Sequence, residues 1–158
     1  MSAGHPDNDL VKIAFHVVES GGNQITETLW ARRQSDGAYV LDNSPFYAFD
    51  VSYKDSIRAT EDNGILTFSG IIKRSGHSTY RVKMRRGAGH REFLKYWPPL
   101  ALLGCTYEGA SSGRYLYSID IPRHDAVKKA YDYLVSIEEK GIWDFEEAHY
   151  FDPRANLG

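Results

Sequence analysis

The chain has 158 residues, of which 42% are hydrophobic and 25% are charged, a composition typical of a folded globular protein. Its formal net charge of -2 argues against a protein whose whole surface binds polyanions. The single cysteine, Cys105, excludes an internal disulfide and a zinc site built on thiolates. The N-terminus lacks the pattern of a secretory signal and no apolar run is long enough to span a bilayer. We therefore expect a cytoplasmic protein without membrane contact.

The first half of the chain is predicted to consist of strands. Residues 1–9 are polar and are expected to be disordered, after which VKIAFHVVE and ITETLWARR alternate apolar and polar residues. The run YVLDNSPFYAFDV predicts two extended pieces bent at Pro45. SIRATE and ILTFSGIIKRS flank Asn63 and Gly64, a pair typical of a tight hairpin turn. Seven short strand-like runs before residue 90 predict a small β-barrel or curled antiparallel sheet over residues 10–77.

The second half alternates strands and helices. HREFLKYW has helical spacing and must end at the two prolines that follow it, while CTYEG and RYLYSIDIP resemble a hairpin closed by ASSG. A helical stripe over residues 127–137 ends at Gly141, and IWDFEEAHYF is predicted to be the last strand. From Ser78 onward the order β-α-β-β-α-β predicts a ferredoxin-like unit over residues 78–152, with a tail at 153–158. The expected fold class is α+β, with two fused modules.

Three separated motifs, ETLWARR, DGAYVLDNSPFYAFDVSYKDSIRA and RSGHSTYRV, resemble those of an uncharacterised bacterial family, domain-of-unknown-function family 4265. The resemblance extends over most of the chain, roughly from Val11 to Tyr150. It implies no reaction and no accepted catalytic residues, so no role is transferred to any position. It does raise the expectation that the protein is encoded among bacterial toxin-immunity genes.

His77 lies in the motif RSGHSTYRV, between Gly76 and hydroxyl side chains, a pattern of turn chemistry. Because histidine titrates near neutral pH, His77 is also a candidate general acid or base of a hydrolase or ribonuclease, with Tyr80 and Arg81 as weaker catalytic candidates. A lone histidine is more often structural, and we favour that interpretation. No metal-ligand spacing or phosphate loop occurs, so no metal and no cofactor is expected.

A basic stripe runs along the predicted strand that follows His77. Arg81, Lys83 and Arg85 share one face and Arg86 follows, which suggests nucleic-acid binding by an open sheet face. In a ferredoxin-like sheet, however, the last strand lies beside this one and would place acidic side chains next to the cations: Asp144 and Glu146, with Asp120 on the other neighbour. Such pairs neutralise the face. We therefore favour a paired, solvated sheet face over an RNA-binding surface.

The C-terminal third is acidic and aromatic. Six acids and one lysine lie between Glu138 and Asp152, interleaved with aromatic residues. Such an edge strand is either a solvated edge with charged side chains or a docking surface for a basic partner. We predict a non-catalytic protein-binding domain, in its most concrete form an immunity protein that masks a bacterial toxin. Its partner-binding residues would be Asp144, Glu146, Glu147 and Tyr150.

Overall fold

The structure is a computed structural model that describes residues 9–85, 87–110 and 115–156. The described residues form two β-sheets, sheet A and sheet B, and a set of helices that belong to the second half of the chain. The predicted α+β class is confirmed. No helix in the described ranges has both the length and the apolar character needed to cross a lipid bilayer.

Sheet A contains the five strands of the first half, in chain order. Each strand is antiparallel to the next, and β1 also pairs with β5 in parallel at two positions, which brings the first and last strands together. Alternate side chains of these strands form a first hydrophobic core, which includes Ile13, Leu29, Leu41 and Ile57. The strands are β1 (Leu10–Val18), β2 (Gln24–Arg33), β3 (Tyr39–Leu41), β4 (Ser56–Asp62) and β5 (Ile65–Lys73).

The hairpin between β4 and β5 turns at Asn63 and Gly64, as their sequence predicts. Both residues have positive φ angles, 51° and 80°, which is the backbone conformation that a two-residue hairpin turn requires. The turn sets the register in which Asp62 pairs with Ile65.

Sheet B has four strands in the order β7-β8-β6-β9, and every neighbouring pair is antiparallel. β6 therefore lies inside the sheet and β9 at an edge. The strands are β6 (Ser78–Met84), β7 (Thr106–Gly109), β8 (Leu116–Ile121) and β9 (Trp143–His149), and the α-helices are α1 (His90–Tyr96), α2 (Pro98–Leu102) and α3 (Val127–Glu139). Short 3-10 turns span His124–Ala126 and Pro153–Asn156.

The helices cover one face of sheet B. α3 buries Val127, Ala130, Leu134 and Ile137, the stripe predicted from its spacing, against a second hydrophobic core that contains Trp143. α2 begins at Pro98, where the missing N–H of proline costs no helical hydrogen bond. These contacts fix the position of α3 relative to β9. The candidate site described below lies mainly between these two elements.

The segment between β3 and β4 differs from the prediction. Only Tyr39–Leu41 of the run YVLDNSPFYAFDV is a strand, and residues 42–55 are irregular, so six strands rather than seven precede residue 90 in the described chain. A buried carboxylate replaces the strand partner: Glu27 accepts hydrogen bonds from the backbone N–H groups of residues 46–48 at 2.6, 3.0 and 2.8 Å. Side-chain acceptors of this kind satisfy a backbone that pairs with no strand.

Residues 42–55 lie across the face of sheet B that the helices leave free. Ser118 of β8 donates to the Pro45 carbonyl at 2.7 Å, the Ser44 N–H donates to Glu108 of β7 at 2.6 Å, and the Asp50 N–H donates to Ala148 O at 2.9 Å. The expectation of a solvated outer face on sheet B is therefore wrong over this region. An irregular segment whose contacts are remote in sequence leaves no periodic pattern from which its position could be predicted.

Several expectations concern positions outside the described residues. These are the disorder of residues 1–8, most of the predicted ASSG turn, the position of Arg86 and the end of the tail.

Candidate functional site

A cavity of about 360 Å³ opens between α3 and the edge strand β9. Three tyrosines from different parts of the chain line it: Tyr80 from β6, Tyr131 from α3 and Tyr150 just after β9. The remaining lining residues are His124, Val127, Lys128, Asp132 and Glu147. Aromatic faces beside acidic groups make a site that suits a cation. We call this set of residues the tyrosine cavity.

The helical period of α3 supplies one wall of the tyrosine cavity. Ala130 and Leu134 face the core, so Lys128, Tyr131 and Asp132 lie together on the flank of the helix, at spacings of three and four residues. Lys128 and Asp132 form an ion pair at 3.2 Å, with both side chains largely exposed. On this wall the ring of Tyr131 therefore lies beside Lys128 and Asp132, whose charges neutralise each other.

Glu147 supplies the carboxylate of the tyrosine cavity and is held by Tyr80. The Tyr80 hydroxyl donates to Glu147 Oε1 at 2.7 Å, and no described residue donates to the other carboxylate oxygen. Burial, and then the bond to Glu147, raise the pKa of Tyr80 far above its usual value. The phenol therefore stays protonated and remains a donor to Glu147 at every physiological pH.

The four predicted partner-binding residues do not form one surface. Glu147 and Tyr150 line the tyrosine cavity on the helix side of sheet B. Asp144 and Glu146 lie on the other face, where the alternation of a strand places them. Both are engaged there: Asp144 Oδ1 is 2.7 Å from Arg85, and Glu146 Oε1 is 2.7 Å from Arg81.

Those two ion pairs confirm the predicted pairing of Asp144 and Glu146 with the cations along β6. The expectation that Asp120 also pairs with them is wrong, because Asp120 lies opposite Thr79 and binds His77.

Arg81, moreover, is buried. Only 2% of Arg81 is exposed, and its guanidinium also donates to the Ala48 carbonyl at 2.7 Å and lies 4.5 Å from the ring centroid of Phe49. Both of those residues belong to the irregular segment 42–55. The guanidinium is therefore inaccessible to a phosphate group.

The other cations of the nucleic-acid hypothesis are distributed differently. Lys83 is exposed, and Arg85 donates to Asp144 through both Nε and Nη2. Arg86 lies outside the described residues. With Arg81 buried and Arg85 paired, only Lys83 is left exposed and unpaired among the three described cations, which does not make the continuous positive face that RNA-binding sheets use.

His77 forms an ion pair or hydrogen bond with Asp120, the residue opposite Thr79 on β8. Its Nδ1 lies 2.8 and 2.9 Å from the two carboxylate oxygens, and its side chain is 18% exposed. No described residue bonds its Nε2. Tyr80 and Arg81 do not join this pair, because Tyr80 lines the cavity on the other face and Arg81 binds Glu146. The sequence indicated no partner for His77, because Asp120 is 43 residues away in the chain.

A buried hydroxyl and imidazole network joins the irregular segment 42–55 to sheet B. Ser52 Oγ lies 2.6 Å from Thr79 Oγ1 and 2.7 Å from His149 Nδ1, and all three residues are buried. Burial, and then the nearby Arg74, lower the pKa of His149, which favours the neutral ring at pH 7 in the folded protein. Nothing in the sequence pattern indicated this network, since its members lie in three separate segments.

The remaining chemical candidates are a metal site and the thiol of Cys105. No cluster of three histidine, cysteine, aspartate or glutamate side chains in the described ranges is arranged to hold a metal ion. Cys105 is buried, and burial raises the pKa of its thiol to about 12, so the thiolate is scarce at neutral pH.

Sequence analysis identified Glu147 and Tyr150 but missed the residues of α3 and the turn before it. The spacing of Lys128, Tyr131 and Asp132 was available as a signal, because residues three and four apart share a helix flank. No signal in the sequence indicated that this flank approaches Glu147, since that approach depends on how α3 packs on sheet B.

The chain folds as a two-sheet α+β protein with the tyrosine cavity at one edge of sheet B. The chain belongs to the family described as domain of unknown function (DUF4265), whose family model matches residues 27–145. A solved structure described as the novel crystal structure of a hypothetical protein from Neisseria gonorrhoeae is similar in fold. Its TM-score is 0.77 at 19% identity, and the match covers 89% of this chain and 96% of that one. No curated protein matches.

Proposed function

We propose that the protein is a non-catalytic, cytoplasmic protein-binding domain that docks a basic partner at the edge of sheet B beside β9. Its most concrete form is an immunity protein that masks a bacterial toxin. The observation that carries the proposal is the tyrosine cavity. There Glu147 is joined to no cation of the described chain, whereas Asp144 and Glu146 are neutralised by arginines.

The unpaired carboxylate matters because charge complementarity speeds and specifies association. A carboxylate that already binds an arginine of its own chain has little attraction left for a partner. Exposed aromatic side chains add contact area with few rotatable bonds, and Tyr131 and Tyr150 are 44% and 41% exposed. The docking surface that we propose is therefore centred on Glu147 and Tyr150, and it leaves out Asp144 and Glu146, which lie on the opposite face and are paired with arginines.

The experiment compares Glu147→Gln and Asp144→Asn, which each remove one negative charge, with Glu147→Lys, which reverses one. The product of the gene adjacent to that of this protein is purified. Its affinity for this protein is measured by biolayer interferometry. We expect Glu147→Lys to abolish capture and Glu147→Gln to weaken it, while Asp144→Asn, which changes the opposite face, leaves it intact. Equal affinities of the Glu147 and Asp144 variants, or no capture by the unmodified protein, would remove the proposal.

A second function is favoured by one observation. Asp120 orients His77 through Nδ1 and leaves Nε2 without a partner among the described residues, the arrangement of a general base. A hydrolase or ribonuclease centred on His77 is therefore the alternative. RNA and ester turnover that disappears in His77→Gln, with partner capture unchanged, would select it over the binding function.

We also propose the finer division of the fold. Residues 10–77 would form a small β-barrel, closed by the short parallel pairing of β1 with β5, and residues 78–152 a ferredoxin-like unit. The strand order β7-β8-β6-β9 with antiparallel neighbours supports the second assignment.

A further inference from the structure

The tyrosine cavity is an open depression, large enough to act as a socket for a side chain of a partner. Its volume of about 360 Å³ falls within the range of small-ligand sites, and its walls come from three elements that are packed against each other. The rings of Tyr80 and Tyr131 are arranged edge to face, with centroids 6.3 Å apart. His124 stands 5.7 Å from Tyr150, centroid to centroid, at the opposite wall.

The carboxylate in this socket is positioned before any ligand arrives. Tyr80 is 1% exposed and fixes Glu147 Oε1, so the second oxygen is the one available to a ligand. The pKa of Tyr80 is raised by burial, so the donor is not lost on titration. A carboxylate oxygen held in a defined position loses little rotational freedom on binding a charged donor.

The other charges at the rim do not satisfy Glu147. Lys128 is paired with Asp132, and His124 contacts Tyr150 and Phe151 through its ring. A neutral occupant would cover the Glu147 carboxylate without a counter-charge, which is unfavourable. An anion would face the same carboxylate and the electron-rich faces of the tyrosines.

We propose that the tyrosine cavity receives a single cationic side chain, the ammonium of a lysine or the guanidinium of an arginine, with Glu147 as its ion-pair partner and the tyrosine rings around its aliphatic stem. This inference rests on the proposed docking function and names the group that the partner inserts. Tyrosine faces attract either cation, and the carboxylate accepts hydrogen bonds from either.

The test uses free amino-acid derivatives, so that it does not depend on knowing the partner. Nα-acetyl-lysine amide, Nα-acetyl-arginine amide and the neutral Nα-acetyl-norleucine amide are titrated against the full chain, and the ring and amide signals of the cavity residues are followed by NMR. We expect saturable shifts with the lysine or arginine derivative, whichever the cavity prefers, and none with the norleucine derivative at equal concentration.

Matched variants locate the binding. Glu147→Gln should lower the affinity for the preferred derivative by about tenfold, since it replaces a charge-assisted hydrogen bond by a weaker one to a neutral amide. Tyr131→Phe, which keeps the ring, should bind as the unmodified protein does, whereas Tyr131→Leu should bind less tightly. Asp144→Asn is the control for loss of one charge elsewhere, and amide spectra verify that each variant is folded.

The outcomes separate this inference from the docking function. Binding of the norleucine derivative as tight as that of the cations, or an unaltered affinity in Glu147→Gln, overturns the cationic socket. Binding of the cationic derivative without capture of any protein partner leaves the socket in place and removes the docking function. Partner capture without any binding of the derivatives overturns the socket alone.

Discussion

Replacement of Arg81 tests the assignment of its guanidinium to the interior. Methionine keeps the aliphatic stem but removes the donor to the buried Ala48 carbonyl, the contact with the Phe49 ring and the ion pair with Glu146. A buried acceptor left without a donor costs about 1–3 kcal/mol, and loss of a cation–ring contact costs about 0.5–1 kcal/mol. The Glu146 side chain is 52% exposed and regains water, which reduces the penalty of its lost partner. We expect Arg81→Met to lower the free energy of unfolding by about 2–3 kcal/mol.

Arg85 offers a matched control in the same part of the sheet. It also pairs with a β9 carboxylate at 2.7 Å, but side-chain exposures of 40% and 62% place that pair in solvent. Exposed pairs contribute little to stability, so Arg85→Met should leave the unfolding midpoint unchanged within error. Arg81→Lys, which keeps the charge but not the planar fork, should fall between the two.

The assay is urea denaturation at pH 7 followed by tryptophan fluorescence, since Trp143 is fully buried in the second core. The slope of free energy against denaturant should be the same in all variants if the folded state is unaltered. Equal midpoints for Arg81→Met and Arg85→Met would refute the reasoning, because the two ion pairs differ chiefly in burial.

Two further predictions concern buried titratable groups. The pKa of His149 is lower in the folded protein than in the unfolded chain. Between those two pKa values the unfolded chain binds a proton at His149 and the folded chain does not. Stability should therefore fall as pH drops below about 6.5, by at most about 1.4 kcal/mol per pH unit from this group. Denaturation at pH 7.5 and 5.5 should show a smaller loss of stability in His149→Gln than in the unmodified protein, and identical losses would contradict a lowered pKa of His149. Since burial raises the pKa of Cys105 to about 12, an aromatic disulfide reagent should modify the thiol at the rate of unfolding. Rapid modification of the native protein at pH 8 would show that the thiol is accessible.

Much of the fold could be predicted from local patterns. Alternation identified the strands of sheet A, Asn63 and Gly64 identified a hairpin, and the buried stripe of α3 followed its helical spacing. These features depend on residues close together in the chain, so a short window of sequence contains the information. The ion pairs of Arg81 and Arg85 with β9 were also predictable, once a neighbouring position was assumed for the two strands.

The site was predictable only in part. Glu147 and Tyr150 were identified by their acidic and aromatic character, but they were grouped with Asp144 and Glu146, which lie on the other face. Alternate residues of a strand face opposite sides of the sheet, so the strand pattern could have separated the two pairs. Charge composition alone could not. The walls that Tyr80 and Tyr131 provide depend on the packing of α3 against sheet B.

The sequence by itself determined most of the strands, the helix α3 with its buried stripe, and the tight turn at Asn63 and Gly64. Those properties follow from backbone preferences and from spacing along a few residues. Only the tertiary structure decided that residues 42–55 cover sheet B and bury Arg81, that Asp120 holds His77, and that Glu147 lines a cavity whose lysine, Lys128, is paired with Asp132 instead. Each of these depends on groups that are dozens of residues apart, and the free energy that brings them together comes from packing of whole elements.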